Sequence, residues 1–183
     1  MTAQHTALLL IDMQVDFGAP DGAMARQGKD MTAVPAALAN AVLLAEAARA
    51  AGVPLIFVRL LARPEGGLCV EGTRGADFIG PNPQGGDVII SKSRFSAFAN
   101  TGLGERLRKQ GIDTLVLAGL TTECCVQASA WAAFELDFQV VLAADACAAY
   151  EDEEGLHRHA LKALELSGAT LAASADLAAL WAK

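Results

Sequence analysis

Three side chains that could act together in nucleophilic catalysis are spread along the sequence, at Asp12, Lys92 and Cys125. Each follows a short apolar run that is typical of a buried strand. A free thiol, with a pKa of about 8.5, is mostly protonated at neutral pH and needs a base. Asp12 could take the proton of Cys125, while Lys92 could keep Asp12 ionised and stabilise a thiolate by its charge. The three groups would then titrate as one coupled unit.

The two adjacent cysteines lie in the sequence Gly119-Leu-Thr-Thr-Glu-Cys-Cys-Val126, between a predicted strand and a predicted helix. This arrangement places Cys124 and Cys125 where the helix begins. A thiol at that position lies at the positive end of the helix dipole, which favours the thiolate. Free backbone N–H groups of the first turn can receive a developing oxyanion. Both cysteines could equally be inert, buried apolar residues.

The other candidates also have structural explanations. Asp12 could form a turn or cap a helix, and Lys92 could be an ordinary surface charge. Phe17 could line a pocket beside Asp12 or belong to the core. Arg63 and Arg74 lie in a long glycine- and proline-rich segment. They could bind a substrate carboxylate, but we expect them to be solvated surface residues.

The elements that must position these residues alternate between strand and helix. Strands are predicted at 7–11, 54–61, 87–90, 114–118, 138–143 and 169–173, and helices at 35–51, 102–110, 125–136, 151–168 and 174–181. Thr101 and Ser174 are predicted helix caps, and residues 13–17 are predicted to lead into a loop rather than to begin a helix. Residues 62–86 have no predicted regular structure, which is typical of a lid or a subunit contact. The pattern predicts one domain, residues 1–183, with a three-layer α/β fold and a mostly parallel sheet.

Composition narrows the classes of partner and compartment. Of the 183 residues, 53% are hydrophobic and 19% are charged, which suits a sheet buried on both faces. A net charge of −7 argues against nucleic acid or an anionic membrane as partner. We expect no signal peptide and no membrane span. The four cysteines lack a C-x-x-C pattern, so neither a disulfide framework nor a zinc site is expected, and a reducing cytoplasm is predicted.

The three segments that carry the candidate residues resemble the motifs of the isochorismatase-like cysteine hydrolases. They are Leu-Leu-Ile-Asp12-Met-Gln-x-Asp-Phe17, Lys92-x-x-Phe-Ser-Ala-Phe98 and Gly119-x-x-Thr-x-x-Cys125-Val126. The resemblance covers nearly the whole chain in order and spacing. It implies that Cys125 is the nucleophile, Asp12 the acid/base and Lys92 the charged third member of a triad.

The resemblance also implies a fold and further site features. The family fold is a six-stranded parallel sheet of order 3-2-1-4-5-6, with the first and fourth strands adjacent at the switch point. A cis peptide bond is expected at Leu120–Thr121, and the backbone N–H groups of Thr121 and Cys125 would form the oxyanion hole. We expect Phe17, Phe95 and Phe98 to wall the pocket.

Two features narrow the activity that the resemblance implies. Metal-dependent nicotinamidases of the family carry an Asp and several His after the second strand, whereas residues 59–66 here contain no His. No metal and no other cofactor are therefore expected. Isochorismatases proper cleave a vinyl ether and lack the cysteine, so Cys125 favours acyl transfer. Residues 68–78 are similar to a segment of metal-free members that act on ureido or carbamoyl compounds.

We therefore predict a metal-independent cysteine hydrolase that cleaves a C–N bond of a small amide or ureido compound through a thioester. One alternative is a vinyl-ether hydrolase in which Asp12 and Lys92 act without the thiol. Another is a catalytically idle oligomeric scaffold that binds a ligand. The expected partners are a small-molecule substrate and further copies of the chain. The alanine-rich composition, Trp131 and Trp181 on helices, and the family resemblance favour a homo-oligomer, dimer or larger.

Overall fold

The computed structural model describes residues 3–62, 67–150 and 155–182. Its strands are β1 (Thr6–Ile11), β2 (Leu55–Leu60), β3 (Val88–Lys92), β4 (Thr114–Leu120), β5 (Gln139–Ala148) and β6 (Thr170–Ala172). Its α-helices are α1 (Val15–Gly18), α2 (Ala23–Arg26), α3 (Val34–Ala51), α4 (Leu103–Lys109), α5 (Gln127–Glu135), α6 (Leu156–Leu166) and α7 (Ser174–Trp181). None of the helices in the described ranges combines the length and hydropathy needed to span a membrane.

The sheet has the order β3-β2-β1-β4-β5-β6, and each pairing is parallel. The order predicted from the family resemblance is therefore confirmed. β1 and β4 lie side by side at the centre, with Leu8 opposite Val116 and Ile11 opposite Gly119. The carboxyl ends of these two strands flank the switch point, which is where open α/β sheets place their ligands.

Helices cover both faces of the sheet. On one face α3 and α7 pack in a cluster that includes Leu8 and Leu10 of β1. On the other face α4, α5 and α6 pack in a cluster that includes Leu9 and Ile11. All six residues of β1 are buried, which explains why the strand has a continuous apolar sequence instead of an alternating one. The predicted three-layer α/β fold is confirmed.

Gly119 allows β1 and β4 to approach closely at their carboxyl ends. Its φ is 150°, a conformation that L side chains rarely adopt. A Cβ at this position would lie 2.2 Å from the carbonyl oxygen of Ile11. Any larger residue would therefore force the two central strands apart, directly before the turn that carries the cysteines.

β5 extends beyond its predicted end. The strand continues through Asp145 to Ala148, because the later residues pair again with the end of β4, where Gly119 lies opposite Cys147. A register shift after Leu117 accommodates the residues between the two paired stretches. The prediction missed this part because the polar Asp145 interrupts the apolar run.

The segment predicted to lead into a loop after β1 contains a helical turn instead. In α1 the N–H of Gly18 donates to the Gln14 carbonyl at 2.9 Å, and that of Ala19 donates to the Val15 carbonyl at 3.0 Å. A single turn is too short to show helical periodicity in the sequence. Tertiary hydrogen bonds hold the neighbouring segments around this turn: the Gln14 side chain donates to the Leu60 and Ala76 carbonyls, and the Asp16 carboxylate accepts two backbone N–H groups.

Neither predicted cap residue occupies the N-cap position of its helix. Ala173 occupies the N-cap position of α7, and the backbone N–H and the hydroxyl of Ser174 both donate to Oδ1 of Asp145, at 2.8 and 2.7 Å. The cap is therefore supplied by β5 rather than locally. In α4 the N-cap is Gly102, so the prediction for Thr101 is also wrong. Thr101 lies one residue earlier, and its Oγ1 atom accepts a hydrogen bond from the N–H of Leu103 at 3.4 Å. The predicted helix start at 151–154 lies outside the described residues.

Candidate active site

The three candidate catalytic residues meet at the carboxyl edge of the sheet. Asp12 directly follows β1 and has a left-handed backbone, with φ of 53°. Lys92 is the last residue of β3 rather than lying beyond its end, and Cys125 lies in the turn after β4. β3 is separated from β1 by β2, so the long lysine side chain spans one strand to reach the centre.

The Lys92 ammonium joins the other two side chains. Its Nζ lies 2.6 Å from Oδ2 of Asp12, and both side chains are 0% exposed. It also donates to Cys125 Sγ at 3.5 Å and to the Arg94 carbonyl at 2.9 Å. Lys92 is therefore not a surface charge. A buried ion pair of this kind is costly to desolvate and marks a site with a purpose beyond stability.

The electrostatics of the site favour a protonated nucleophile at rest. Burial raises the pKa of Asp12, against the opposing effects of Lys92 and of a hydrogen bond with the Cys125 thiol. Hydrogen bonding to Cys124, burial and the Asp12 carboxylate raise the pKa of Cys125, again against Lys92. The expectation that the helix start favours a thiolate stays a prediction, since the pKa of Cys124 is lowered while that of Cys125 is raised. A raised pKa makes Asp12 a stronger base than an ordinary carboxylate, which suits it to accept the thiol proton.

Cys124 differs from its neighbour in exposure and contacts. It is half-buried, and its hydrogen bond with Cys125 lowers the pKa of Cys124 to about 7. Cys125 is buried and is the cysteine that contacts Lys92. Of the two thiols, only that of Cys125 accepts a hydrogen bond from Lys92 among the described residues.

The turn that presents Cys125 is a π-helical turn, Thr122–Val126, which runs into α5. The helix therefore begins earlier than predicted. The peptide bond between Leu120 and Thr121 is cis, as the resemblance implied. The Thr121 carbonyl accepts the N–H groups of Cys124 and Val126, each at 3.2 Å, and the amide of Cys125 lies between them without bonding to that carbonyl.

A cavity of about 880 Å³ opens beside the thiols. Both cysteines and Thr121 form part of its wall. Most of the remaining wall is apolar or aromatic, with a few charged or polar side chains: Phe17, Met24, Lys29, Leu60, Leu61, Ala62, Leu68, Ser93, Arg94, Phe95, Leu120, Glu123 and Tyr150. This size and character suit a small organic molecule.

The predicted aromatic wall is only partly present. Phe17 and Phe95 line the cavity, and Phe95 is 67% exposed at its edge. Phe98 does not line it, because its ring stacks on Phe138 in the core on the α4 side of the sheet. The expectation that Phe98 walls the pocket is therefore not supported. Phe98 is close to Lys92 in sequence, but the turn after β3 places its ring in the core instead of the cavity.

Of the two loop arginines, Arg74 is described. It is an exposed residue paired with Asp21 at 2.7 Å and lies outside the cavity wall, as expected for a surface arginine. Arg63 lies outside the described residues.

Five polar residues of the cavity wall were not predicted from the sequence: Lys29, Ser93, Arg94, Glu123 and Tyr150. Tyr150 follows β5 and donates its hydroxyl to the Phe17 carbonyl at 3.0 Å, and burial raises its pKa. A prediction that extended the fifth strand to Ala148 would have indicated Tyr150 as a residue near the carboxyl edge of the sheet. Glu123 lies within the cysteine motif, two residues before Cys125. This nearness in sequence was the signal that could have indicated it as a residue of the cavity wall.

Within the described ranges, no three His, Cys, Asp or Glu side chains are grouped closely enough to bind a metal ion. The triad itself supplies one carboxylate, one ammonium and one thiol, and the ammonium occupies the position between the other two. The expectation of a metal-free enzyme remains a prediction.

A parallel sheet of this order, with a buried Asp–Lys–Cys arrangement at its carboxyl edge, is the architecture of a cysteine hydrolase. The model of the isochorismatase domain matches residues 6–176, and the chain belongs to this family. The family resemblance seen in the three sequence motifs is thereby confirmed.

Named relatives point to C–N bond hydrolysis. Ureidoacrylate amidohydrolase RutB of Pantoea ananatis is 32% identical, over 79% of this chain and 70% of the relative. An isochorismatase family protein of Desulfovibrio vulgaris is 32% identical with a TM-score of 0.84, over 98% of this chain and 100% of that structure. The N-carbamoylsarcosine amidase of Thermoplasma acidophilum is 26% identical with a TM-score of 0.78, over 95% and 97% of the two chains.

Proposed function

We propose that this chain is a metal-independent cysteine hydrolase that cleaves the C–N bond of a small ureido or amide compound through a thioester on Cys125. The observation that carries the proposal is the buried Lys92 ammonium, which lies 2.6 Å from Asp12 and 3.5 Å from the sulfur of Cys125. Cys125 in turn lines a cavity of a size that suits a small molecule. The names of the relatives support the bond type, because a ureidoacrylate and an N-carbamoyl amino acid both carry a carbamoyl nitrogen.

Acylation begins with proton transfer from Cys125 to Asp12. The sulfur then attacks the substrate carbonyl carbon, and the carbonyl oxygen becomes an oxyanion. The backbone N–H groups of Thr121 and Cys125 stabilise this oxyanion. Asp12 returns the proton to the leaving nitrogen, the C–N bond breaks, and ammonia or an amine departs from a thioester.

Deacylation repeats the sequence with water as nucleophile. Asp12 takes a proton from water, and the hydroxide attacks the thioester carbonyl. The tetrahedral intermediate collapses by breaking the C–S bond, and Asp12 returns the proton to the Cys125 sulfur. Asp12 is therefore acid and base in turn, which its raised pKa favours.

Lys92 stabilises both negative charges that appear in this cycle. Its charge lowers the pKa values of Asp12 and Cys125 relative to what burial alone would give. Without it, burial of a carboxylate and a thiolate in the same site would be strongly unfavourable.

The family alternative of vinyl-ether hydrolysis has less support. That reaction needs no nucleophilic thiol, whereas here the Lys92 ammonium of the ion pair donates a hydrogen bond to the Cys125 thiol. We also propose a reducing cytoplasm as the compartment, since the four cysteines are all free thiols.

A screen of ammonia release tests this function. The purified protein is incubated with a panel of small ureido compounds and primary amides, beside a Cys125→Ala variant. We expect at least one ureido or amide compound to release ammonia, and the Cys125→Ala variant to release none above background. Absence of ammonia from the whole panel, or equal release by the variant, would contradict the proposal.

A further inference from the structure

Glu123 is the one acidic side chain that lines the cavity among the described residues. It belongs to the same π-helical turn as Cys125, two residues before it. Its Oε1 atom accepts the hydroxyl of Thr121 at 2.8 Å, which fixes the orientation of the carboxylate. Its Oε2 atom is buried and has no hydrogen-bond partner among the described residues.

An unpartnered buried carboxylate oxygen is unfavourable in a folded protein, because the atom has lost water and gained nothing in exchange. Atoms of this kind require an explanation. One end of this carboxylate is held by Thr121, so the other end has a fixed position in a side chain that forms part of the cavity wall. A fixed acceptor on a cavity wall suits an N–H donor of a bound ligand.

The position of Glu123 relative to the proposed oxyanion hole indicates which N–H group of a bound substrate would donate to it. In the proposed reaction, the N–H groups of Thr121 and Cys125, two residues before and after Glu123, hold the substrate carbonyl oxygen. Asp12 has to lie beside the leaving nitrogen, because it protonates that atom. Glu123 is then left to the other substituent of the carbonyl carbon, the one that stays with the acyl group.

We propose that Glu123 accepts a hydrogen bond from the retained N–H of a ureido substrate, R–NH–CO–NH₂, and so makes the enzyme select ureido compounds over isosteric carboxamides, R–CH₂–CO–NH₂. This inference rests on the proposed function and deepens it. A carboxamide presents a CH₂ group to the carboxylate and leaves Oε2 unpaired. Sites built to bond a substrate N–H reject analogues that lack it, whereas a methylene in an apolar pocket is tolerated.

The test compares N-propylurea with pentanamide, which differ only in NH against CH₂ at this position. Binding of each is measured calorimetrically to the Cys125→Ala protein, with and without a second substitution, Glu123→Gln. Glutamine keeps an oxygen for the Thr121 hydroxyl but presents an NH₂ donor in place of Oε2. Glu135→Gln, at an exposed site at the end of α5, is the matched control for loss of one negative charge.

With Glu123 present, we expect N-propylurea to bind roughly 10- to 100-fold more tightly than pentanamide. Glu123→Gln should abolish this ratio by weakening the urea alone, and Glu135→Gln should leave it intact. A merely structural role for Glu123 would weaken both ligands equally. Equal binding of the two ligands, an unchanged ratio in Glu123→Gln, or binding of neither ligand would overturn the inference.

Turnover separates this inference from the proposed function. If the wild-type protein releases ammonia from both compounds at equal efficiency, the proposed function stands and the role of Glu123 fails. If no thioester forms but the binding ratio holds, the selectivity stands and the reaction assignment fails. Thermal unfolding of Glu123→Gln close to that of the wild type would show that a change in the ratio does not come from loss of folding.

Discussion

At the scale of single residues, the site depends on the contacts of one lysine. The Lys92 side chain is fully buried, and its ammonium touches the carboxylate, the thiol and a backbone carbonyl. Removing one member of a buried ion pair leaves the other charge uncompensated. Loss of Lys92 should therefore change the pKa values of Asp12 and Cys125.

Lys92→Met is expected to shift the reactivity of Cys125 to higher pH. The positive charge lowers the pKa values of Cys125 and Asp12, so its removal raises both, and the thiolate fraction at a given pH falls. Loss of a neighbouring positive charge should raise the pKa of Cys125 by roughly 1–3. Alkylation of Cys125 by iodoacetamide at neutral pH should then slow by about tenfold or more, and the rate should recover as the pH rises.

The measurement is the alkylation rate of Cys125 against pH, with peptide mass spectrometry to separate it from Cys124. Lys109→Met is the control, since the Lys109 side chain is 74% exposed and pairs with Glu105. Superimposable curves of rate against pH for wild type and Lys92→Met would show that Lys92 does not act on Cys125.

At the scale of elements, the Gln14 side chain joins the end of β1 to the cavity wall. Its amide donates to the carbonyls of Leu60 and Ala76 at 2.9 and 3.0 Å, and its oxygen accepts the Leu60 N–H at 2.8 Å. Gln14 is 0% exposed, and Leu60 lines the cavity. This side chain therefore holds the strand that carries Asp12 against the strand that shapes the substrate site.

Gln14→Leu keeps the approximate volume but leaves three backbone groups without a partner. We expect it to lower the free energy of unfolding by about 2–4 kcal/mol, since each buried unsatisfied group costs about 1–3 kcal/mol and relaxation recovers part of the loss. Urea unfolding measures the effect, with Gln84→Leu at an exposed loop position as control. Equal stability of the two variants would show that these bonds do not support the fold.

The sequence predicted the elements whose periodicity and length are strong, and the residues at their ends. Asp12, Lys92 and Cys125 could be placed together because parallel strands bring their carboxyl ends to one edge. The position of Phe98 could not be predicted, since it depends on the turn after β3 and on packing against Phe138. Tyr150 was missed because the later half of β5 pairs with β4 only after a register shift.

The protonation state of the cysteine thiols was harder to predict from the sequence than their position. The sequence indicated a thiol at a helix start, which favours the thiolate, but not how deeply the site is buried. In the structure, hydrogen bonding to Cys124, burial and the Asp12 carboxylate together raise the pKa of Cys125 against the effect of Lys92. Burial arises from packing of several elements together, so it cannot be deduced from one motif.

At the scale of the whole molecule, the prediction of a homo-oligomer stays open to test. Trp181 is buried within the chain, so it does not support an interface, whereas Trp131 is 42% exposed. Ile89, on the edge strand β3, is 47% exposed, and Leu166 is 76% exposed. We expect a dimeric or larger mass by light scattering at micromolar concentration. A monomeric mass would refute the prediction.

Activity is also expected to be independent of metal. The Lys92 ammonium provides the positive charge of the site, and the described residues contain no group of metal-binding side chains. Turnover should survive exhaustive chelation, and elemental analysis should find no stoichiometric zinc, iron or manganese. One metal ion per chain, with activity lost on its removal and restored on its return, would contradict this.

The central claim is that Cys125, and not its neighbour, carries the acyl group. The direct measurement is rapid quenching of turnover with the best substrate of the ammonia screen, followed by peptide mass spectrometry of wild type, Cys124→Ala and Cys125→Ala. We predict an adduct on Cys125, equal in mass to the substrate minus its leaving amine, in the wild type and in Cys124→Ala, which keeps much of its activity. Cys125→Ala should show neither adduct nor turnover. An adduct on Cys124, or turnover that persists in Cys125→Ala, would contradict the account.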